Sequence, residues 1–256
     1  MAGDKIRGLT FGEVAEEYDR VRPGYPAELF KDLLGYSAPG RALEIGAGTG
    51  KATMAVASTG VQVVALEPDP AMALVLRQRA AGLAVNIAMG TLESYEPEEQ
   101  FDLVYSAQAF HWTKQETRWP RTAALLRPGG SLALFWNHDR LADAGARAKV
   151  AEILQGHELA PADDLPTLDD AQRIWPATEL AGRAEFGEQR QERYVSEREL
   201  PREDYLAYLT TQSAYRILDD EERDELLDEL RSVLPGTVTL DVVTLLYLAR
   251  KSRPGV

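Results

Sequence analysis

The chain has no cysteine among its 256 residues. Disulfides, thiolate metal sites and a cysteine nucleophile are therefore excluded, and a reducing, cytoplasmic setting is the expectation. No apolar run approaches the ~18 residues of a membrane helix. The start, Met1-Ala-Gly-Asp-Lys5, lacks the apolar core of an export signal. No membrane association is expected. Basic residues are also scarce, with 28 Lys and Arg against 41 Asp and Glu and a net charge of −13. No Lys/Arg run exceeds two residues. A nucleic-acid groove needs a basic stripe to neutralise phosphates, so no nucleic-acid partner is expected. Internal repeats and low-complexity tracts are missing too. What remains is an ordinary globular balance, 45% apolar and 27% charged, enough for one substantial core with a helical insertion.

The strongest local pattern is Arg41-Ala-Leu-Glu-Ile-Gly-Ala-Gly-Thr-Gly50, an apolar run that breaks into three alternating glycines. Glu67 closes a second apolar run, Val61–Leu66, 21 residues after Gly46. A strand, a glycine turn, a helix and a second strand ending in an acid form the nucleotide-binding half of a doubly wound sheet. A carboxylate in that place accepts hydrogen bonds from both hydroxyls of a ribose. Dinucleotide sites space their glycines GxGxxG; here the spacing is GxGxG, with no spare residue to seat a pyrophosphate.

Hydrophobic periodicity supplies the frame. Strands are expected near 41–46, 62–66, 84–89, 101–106 and 131–136, with helices over 51–58, 70–80 and 116–125. Phe11, Val14, Ala15 and Tyr18 have helical spacing over 11–20, and 27–34 reads as a further helix. After Asn137 the alternation stops, and 140–185 reads as helices and loops broken by Pro161, Pro166 and Pro176. A charged sixth strand is expected over 186–195 and a long strand over 237–249. Asp219–Leu234 is an amphipathic helix with Leu226, Leu227, Leu230, Val233 and Leu234 on one stripe.

The motif Leu43-Glu-Ile-Gly-Ala-Gly-Thr-Gly50 resembles the first motif of the class I S-adenosylmethionine (SAM) dependent methyltransferases. Leu66-Glu-Pro-Asp69, Gly90-Thr-Leu-Glu93, Phe101-Asp-Leu-Val-Tyr105 and Leu126-Arg-Pro-Gly-Gly130 follow in that family's order. The resemblance covers roughly residues 10 to 140. It implies an α/β fold, a doubly wound Rossmann-like seven-stranded sheet, mostly parallel with the last strand antiparallel. An N-terminal helical lid and a helical insertion after strand five complete it. The expectation is a single domain over 1–256, with a helical cap at 1–40, a cofactor-binding core at 41–139, an insertion capping the acceptor at 140–185 and a sheet-completing part at 186–256.

The implied cofactor is SAM, with S-adenosylhomocysteine as product and no metal. Gly46, Ala47, Gly48 and Gly50 let the backbone approach it, Glu67 holds its ribose, Leu66 and Pro68 pack against its adenine ring, and Glu44 reaches toward its amino group or clamps the turn. Thr91 stands where relatives often carry Asp, so the adenine edge falls to its hydroxyl or to the backbone of Leu92. Ser106 and Tyr18 complete the cofactor set. The run Ala109-Phe-His-Trp112, with Tyr18, Arg22 and Tyr25 upstream, resembles the small-molecule branch that includes trans-aconitate methyltransferases. The implied acceptor is a small molecule methylated on oxygen or carboxylate, and its pocket takes Tyr25, Gln108, Trp112 and Trp136. Two roles are open to His111, a general base or acceptor-orienting group and a loop-holding histidine. Arg22 either grips an acidic acceptor or pairs with Glu16 or Asp19. His157 reads as surface. The chain is expected as a monomer or homodimer. A non-catalytic SAM-binding protein and an NAD-dependent oxidoreductase are the alternatives.

Overall fold

A computed structural model describes residues 15–161 and 164–253. Seven strands, β1 (Arg41–Ile45), β2 (Gln62–Glu67), β3 (Val85–Met89), β4 (Phe101–Ala107), β5 (Leu126–Leu141), β6 (Phe186–Pro201) and β7 (Thr237–Lys251), form one sheet in the order 3-2-1-4-5-7-6. The first five are parallel, and antiparallel pairing enters at the last strands. Strands covered on both faces read as near-continuous apolar runs, and β1, β2 and β4 are buried along almost their whole length. This is the doubly wound architecture that the glycine motif implies.

The chain divides into two compact units. Among the described residues the larger comprises 24–137, 166–194 and 244–253, the smaller 15–23, 138–161, 164–165 and 195–243. In the larger unit, helices α2 (Ala27–Ser37) and α3 (Lys51–Ala57) pack Leu29, Leu33 and Val56 against Leu103, Phe135 and Leu246 of the strands. Helices α4 (Pro70–Arg79) and α5 (Arg118–Leu125) complete its βα alternation. Asp69 caps α4, its Oδ1 accepting from the amides of Ala71 and Met72 at 2.8 and 3.1 Å.

The smaller unit is built around α1 (Ala15–Val21), α6 (Ala144–Gly156), α9 (Arg202–Thr210), the short α10 (Ser213–Arg216) and α11 (Asp220–Val233), while α7 (Leu168–Arg173) and α8 (Ala177–Leu180) belong to the larger. Val150, Leu154, Leu206, Leu226 and Leu230 are its buried centre. Asp219 caps α11 by accepting from the amide of Glu222 at 2.9 Å, and Pro235-Gly236 follow its end. Phe11 and Val14 lie outside the described residues.

Three expectations about length and type change. Strand five begins at Leu126, five residues early, because Arg127–Gly130 bulge out where the β4 register jumps between Phe101 and Leu103. It also continues to Leu141. Strand six runs on to Pro201 and lies at the sheet edge, where its alternating charges are in keeping with an unpaired side. Residues 202–210 and 213–216, read as part of a sheet-completing segment, are helical. Tyr205, Leu206, Tyr208 and Leu209 are all buried on one face, and Ala207 and Thr210 on the other carry no charge, so little polar contrast reveals the period.

Candidate functional site

Parallel register delivers the glycine turn to the end of β2. Ile45 pairs with Leu66, so Gly46 leaves β1 beside Glu67. The Leu66 carbonyl accepts from the amides of Gly46 and Ala47 at 2.9 and 3.1 Å, fixing the turn to its neighbour strand. Gly46 has φ +69°, and a Cβ there meets the Ala109 Cβ at 2.4 Å. Gly48 has φ +57° but faces open space within 4 Å. The first glycine is thus demanded by packing as well as backbone, the second by backbone alone. Beyond the turn, Gly50 opens α3.

Glu67 is 6% exposed, and both its oxygens are occupied. Oε2 accepts from the Gly48 amide at 2.7 Å and Oε1 from the Asp69 amide at 2.9 Å. Burial raises its pKa, the two amides oppose that, and the Asp69 charge adds to it. Pro68 lies beside it, half-buried. Each carboxylate oxygen keeps a second lone pair.

Glu44 sits opposite Tyr105 in the β1–β4 register and is fully buried. Its Oε2 accepts from Thr53 Oγ1 at 2.5 Å and Tyr105 Oη at 3.0 Å, while Oε1 has no partner among the described residues. Burial pushes the carboxyl up to about 8 against the pull of the two hydroxyls. A buried polar atom without a partner is costly, so Oε1 marks a place where a polar ligand group would be welcome.

After β3, the Thr91 amide donates to Ser94 Oγ at 3.0 Å and the threonine is exposed. Leu92 is buried, and its carbonyl accepts from Arg121 Nε at 3.1 Å. Ser106 is fully buried, its hydroxyl donating to the Ile45 carbonyl at 2.7 Å. It ties the end of β4 to β1. Gln108 turns the chain out of β4 with φ +61°, its amide donating to the Phe135 carbonyl at 3.0 Å and its Nε2 to that of Asn137 at 3.3 Å.

That turn leads into a single 3-10 turn, Phe110–Trp112, anchored by the fully buried Phe110 against Trp119 at 5.2 Å. His111 lies 4.6 Å from the Trp112 ring and 6.5 Å from Trp175, while Trp136 meets Trp175 edge-on at 5.1 Å. Trp136 Nε1 donates to His111 Nδ1 at 3.3 Å. His111 is an exposed residue, although protein crowds its ring closely enough to strip part of its water. Desolvation and the Arg118 charge push its pKa down to about 4, so the imidazole is neutral at physiological pH. Arg118, 7% exposed, lies over Trp175 at 5.4 Å and donates to the Thr113 carbonyl at 3.1 Å.

A methyltransferase domain model matches residues 42–130, the span that carries the glycine turn, Glu67 and His111. An uncharacterized methyltransferase of Mycobacterium tuberculosis is 40% identical over 166 residues, 63% of this chain and 65% of its own length. An uncharacterized methyltransferase of Geobacillus kaustophilus is 30% identical over 168 residues, 60% of this chain and 77% of its own. Among solved structures, a putative type II methyltransferase from Anaeromyxobacter dehalogenans superposes with a TM-score of 0.64 at 26% identity, covering 91% of this chain and 97% of that one. The chain belongs to the class I SAM-dependent methyltransferases. The match spans 65% of the length of the mycobacterial relative.

Not every residue expected at the site of this methyltransferase sits in the same unit. Tyr18 and Arg22 belong to the smaller one. There Arg22 Nε donates to Thr211 Oγ1 at 2.9 Å and Nη2 to the Thr211 carbonyl at 2.7 Å, with the guanidinium 5.1 Å from both the Tyr18 and Tyr208 rings. These two bonds clamp the end of α1 to the turn after α9. Tyr25, in the larger unit, packs edge-on against Phe135 at 4.8 Å. His157, expected at the surface, has a side chain only 13% exposed and faces Glu229 at 3.6 Å.

Two residues escaped the sequence. Trp175 stands between Pro-broken segments without periodicity, and its meeting with His111 and Trp136 spans more than 35 positions. Asn137 accepts from Thr244 at 2.6 Å and donates to the Gly24 carbonyl at 3.0 Å, so it fixes the end of the Trp136 segment. The polar residue breaking an apolar strand was the available signal for it. Among the described residues no helix is long and apolar enough to cross a membrane.

Proposed function

We propose that this protein transfers a methyl group from SAM to a small-molecule acceptor, with an oxygen favoured and a carboxylate oxygen foremost. The observation that carries the reading is the closeness of Glu67, pinned at the glycine turn, to the buried Glu44, whose charge it feels and whose Oε1 has no partner among the described residues. The open space over Gly48 supports it from the other side. In this reading Glu67 receives the ribose hydroxyls on its remaining lone pairs, and Glu44 Oε1 receives the amino group, directly or through water. Gly46, Ala47 and Gly48 form the cradle, and Pro68 and Leu92 flank the base.

The cofactor supplies an activated methyl on a sulfonium whose departure needs no proton. What the chain contributes is alignment and exclusion of water. Trp112, Trp136 and Trp175 offer aromatic faces beside His111, and such faces favour a cation. A hydroxyl acceptor demands a base, and an imidazole with a pKa near 4 is a poor one for it. An ionised carboxylate is nucleophilic without one.

The test is incubation with methyl-labelled SAM and a panel of small carboxylic acids, alcohols and amines. Label recovered as a base-labile ester supports the proposal. Label recovered only on alcohols or amines overturns the carboxylate preference, and no transfer to any class favours a binding protein without turnover.

A further inference from the structure

We propose that Trp136 is a positioning residue that fixes His111 as the Nε2–H tautomer, so that His111 meets the acceptor as a hydrogen-bond donor and not as a base.

The argument starts from what an indole is able to do. Its N–H donates and has no lone pair to accept. Trp136 Nε1 lies 3.3 Å from His111 Nδ1, so Nδ1 must be the accepting, unprotonated nitrogen. A neutral imidazole carries one proton, which then resides on Nε2. The single lone pair that a neutral His111 offers in the ring plane is already committed to Trp136. Nothing is left at Nε2 to remove a proton from an acceptor.

Each partner is held in place independently. Trp136 lies on β5, 9% exposed, wedged edge-on between Trp175 at 5.1 Å and Tyr247 at 6.1 Å. His111 is carried on the Phe110–Trp112 turn, whose Phe110 is fully buried. Among the described residues, the elements packed against the imidazole present rings, Trp112, Trp136 and Trp175, and one acting charge, Arg118 from α5. That cation disfavours an imidazolium, in the same direction as the desolvation by neighbouring protein, and keeps the ring in the neutral form for which the tautomer is defined. With Nε2–H as donor, His111 orients an acceptor through a lone pair and selects nucleophiles that arrive without a proton to lose. Only this last consequence rests on the methyl-transfer reading; the tautomer does not.

The experiment is long-range ¹H–¹⁵N correlation of the three histidines in the full chain, over a pH series, with His111 assigned by its loss in His111→Gln. The wild type is expected to show His111 protonated at Nε2 and titrating well below an ordinary histidine. Trp136→Phe keeps the ring packing and removes the donor. In it the Nδ1–H form is expected to appear and the titration midpoint to move upward. A wild-type Nδ1–H tautomer overturns the proposal, as does a Trp136→Phe spectrum identical to wild type. Should that variant fail to fold, the wild-type tautomer alone decides. The measurement uses the free protein, so a protein that binds no SAM and still shows the Nε2–H form defeats the enzyme reading alone. Binding with the opposite tautomer defeats the lock alone.

Discussion

Replacing Glu44 with Gln turns the buried carboxyl into a direct test of the site's electrostatics. Glu44 is fully buried and its pKa is raised from 4.5 to about 8, chiefly because charge is costly there. Between those two values the folded chain holds a proton that the unfolded chain releases. Stability from this group is therefore complete below the unfolded value and is lost as pH rises toward the folded one. Each pH unit in that window costs about 1.4 kcal/mol, so the span from pH 5 to pH 8 is worth up to about 4 kcal/mol. Glutamine imitates the neutral acid. Its oxygen keeps the bonds from Thr53 and Tyr105, and its amide nitrogen takes the place of the unpartnered Oε1. Glu67 and Asp139, whose pKa values burial also raises, titrate in both proteins and cancel in the comparison. The assay is urea denaturation of wild type and Glu44→Gln at four pH values from 5 to 8. The variant is expected to match wild type at pH 5 and to exceed it progressively as pH rises. Two parallel curves would refute the reasoning, and so would a wild type that gains on the variant with pH.

Three further outcomes follow from the same geometry. Gly48→Ala places a side chain in open space and pays only for its φ of +57°, about 1–2 kcal/mol. Gly46→Ala adds a clash with Ala109 at 2.4 Å and roughly 1–3 kcal/mol more, so its urea midpoint falls below that of Gly48→Ala; the reverse order would contradict the packing account. Glu67→Gln is expected to weaken S-adenosylhomocysteine binding about tenfold or more, as loss of a charge-assisted hydrogen bond does, and an unchanged calorimetric Kd would remove Glu67 from the ribose. Leu226→Ala deletes a fully buried side chain of α11 at about 2–5 kcal/mol, and a cost below 1 kcal/mol in the same denaturation would contradict the buried centre assigned to the smaller unit.

How legible the molecule was depended on whether a feature is written locally. The β1 turn and Glu67 are local, since buried parallel strands are apolar runs and the turn chemistry falls at their ends. Their meeting follows from register alone. The bulge at Arg127–Gly130 hid the start of β5 because Pro and Gly read as a turn. Helix α9 was hidden because Ala207 and Thr210 give its open face little polar contrast with the buried one. The bond between Trp136 and His111 joins positions 25 apart on different elements, which no periodicity encodes. Arg22 shows the converse: its charge was legible, but its partner Thr211 lies 189 positions away. Ser106 donates to the Ile45 carbonyl across 61 positions, a link between β4 and β1 that no local pattern writes. The division into two units left no trace in composition either, because three strands each contribute to both.

Thermal unfolding with excess S-adenosylhomocysteine, and with NAD in a parallel sample, tests the central claim most directly. At a hundred times its Kd a ligand adds about 2.7 kcal/mol to the folded state, which for a chain of this size raises the midpoint by roughly 5–10 °C. The account predicts that rise with S-adenosylhomocysteine and none with NAD. A rise with NAD alone, or with neither, would contradict it.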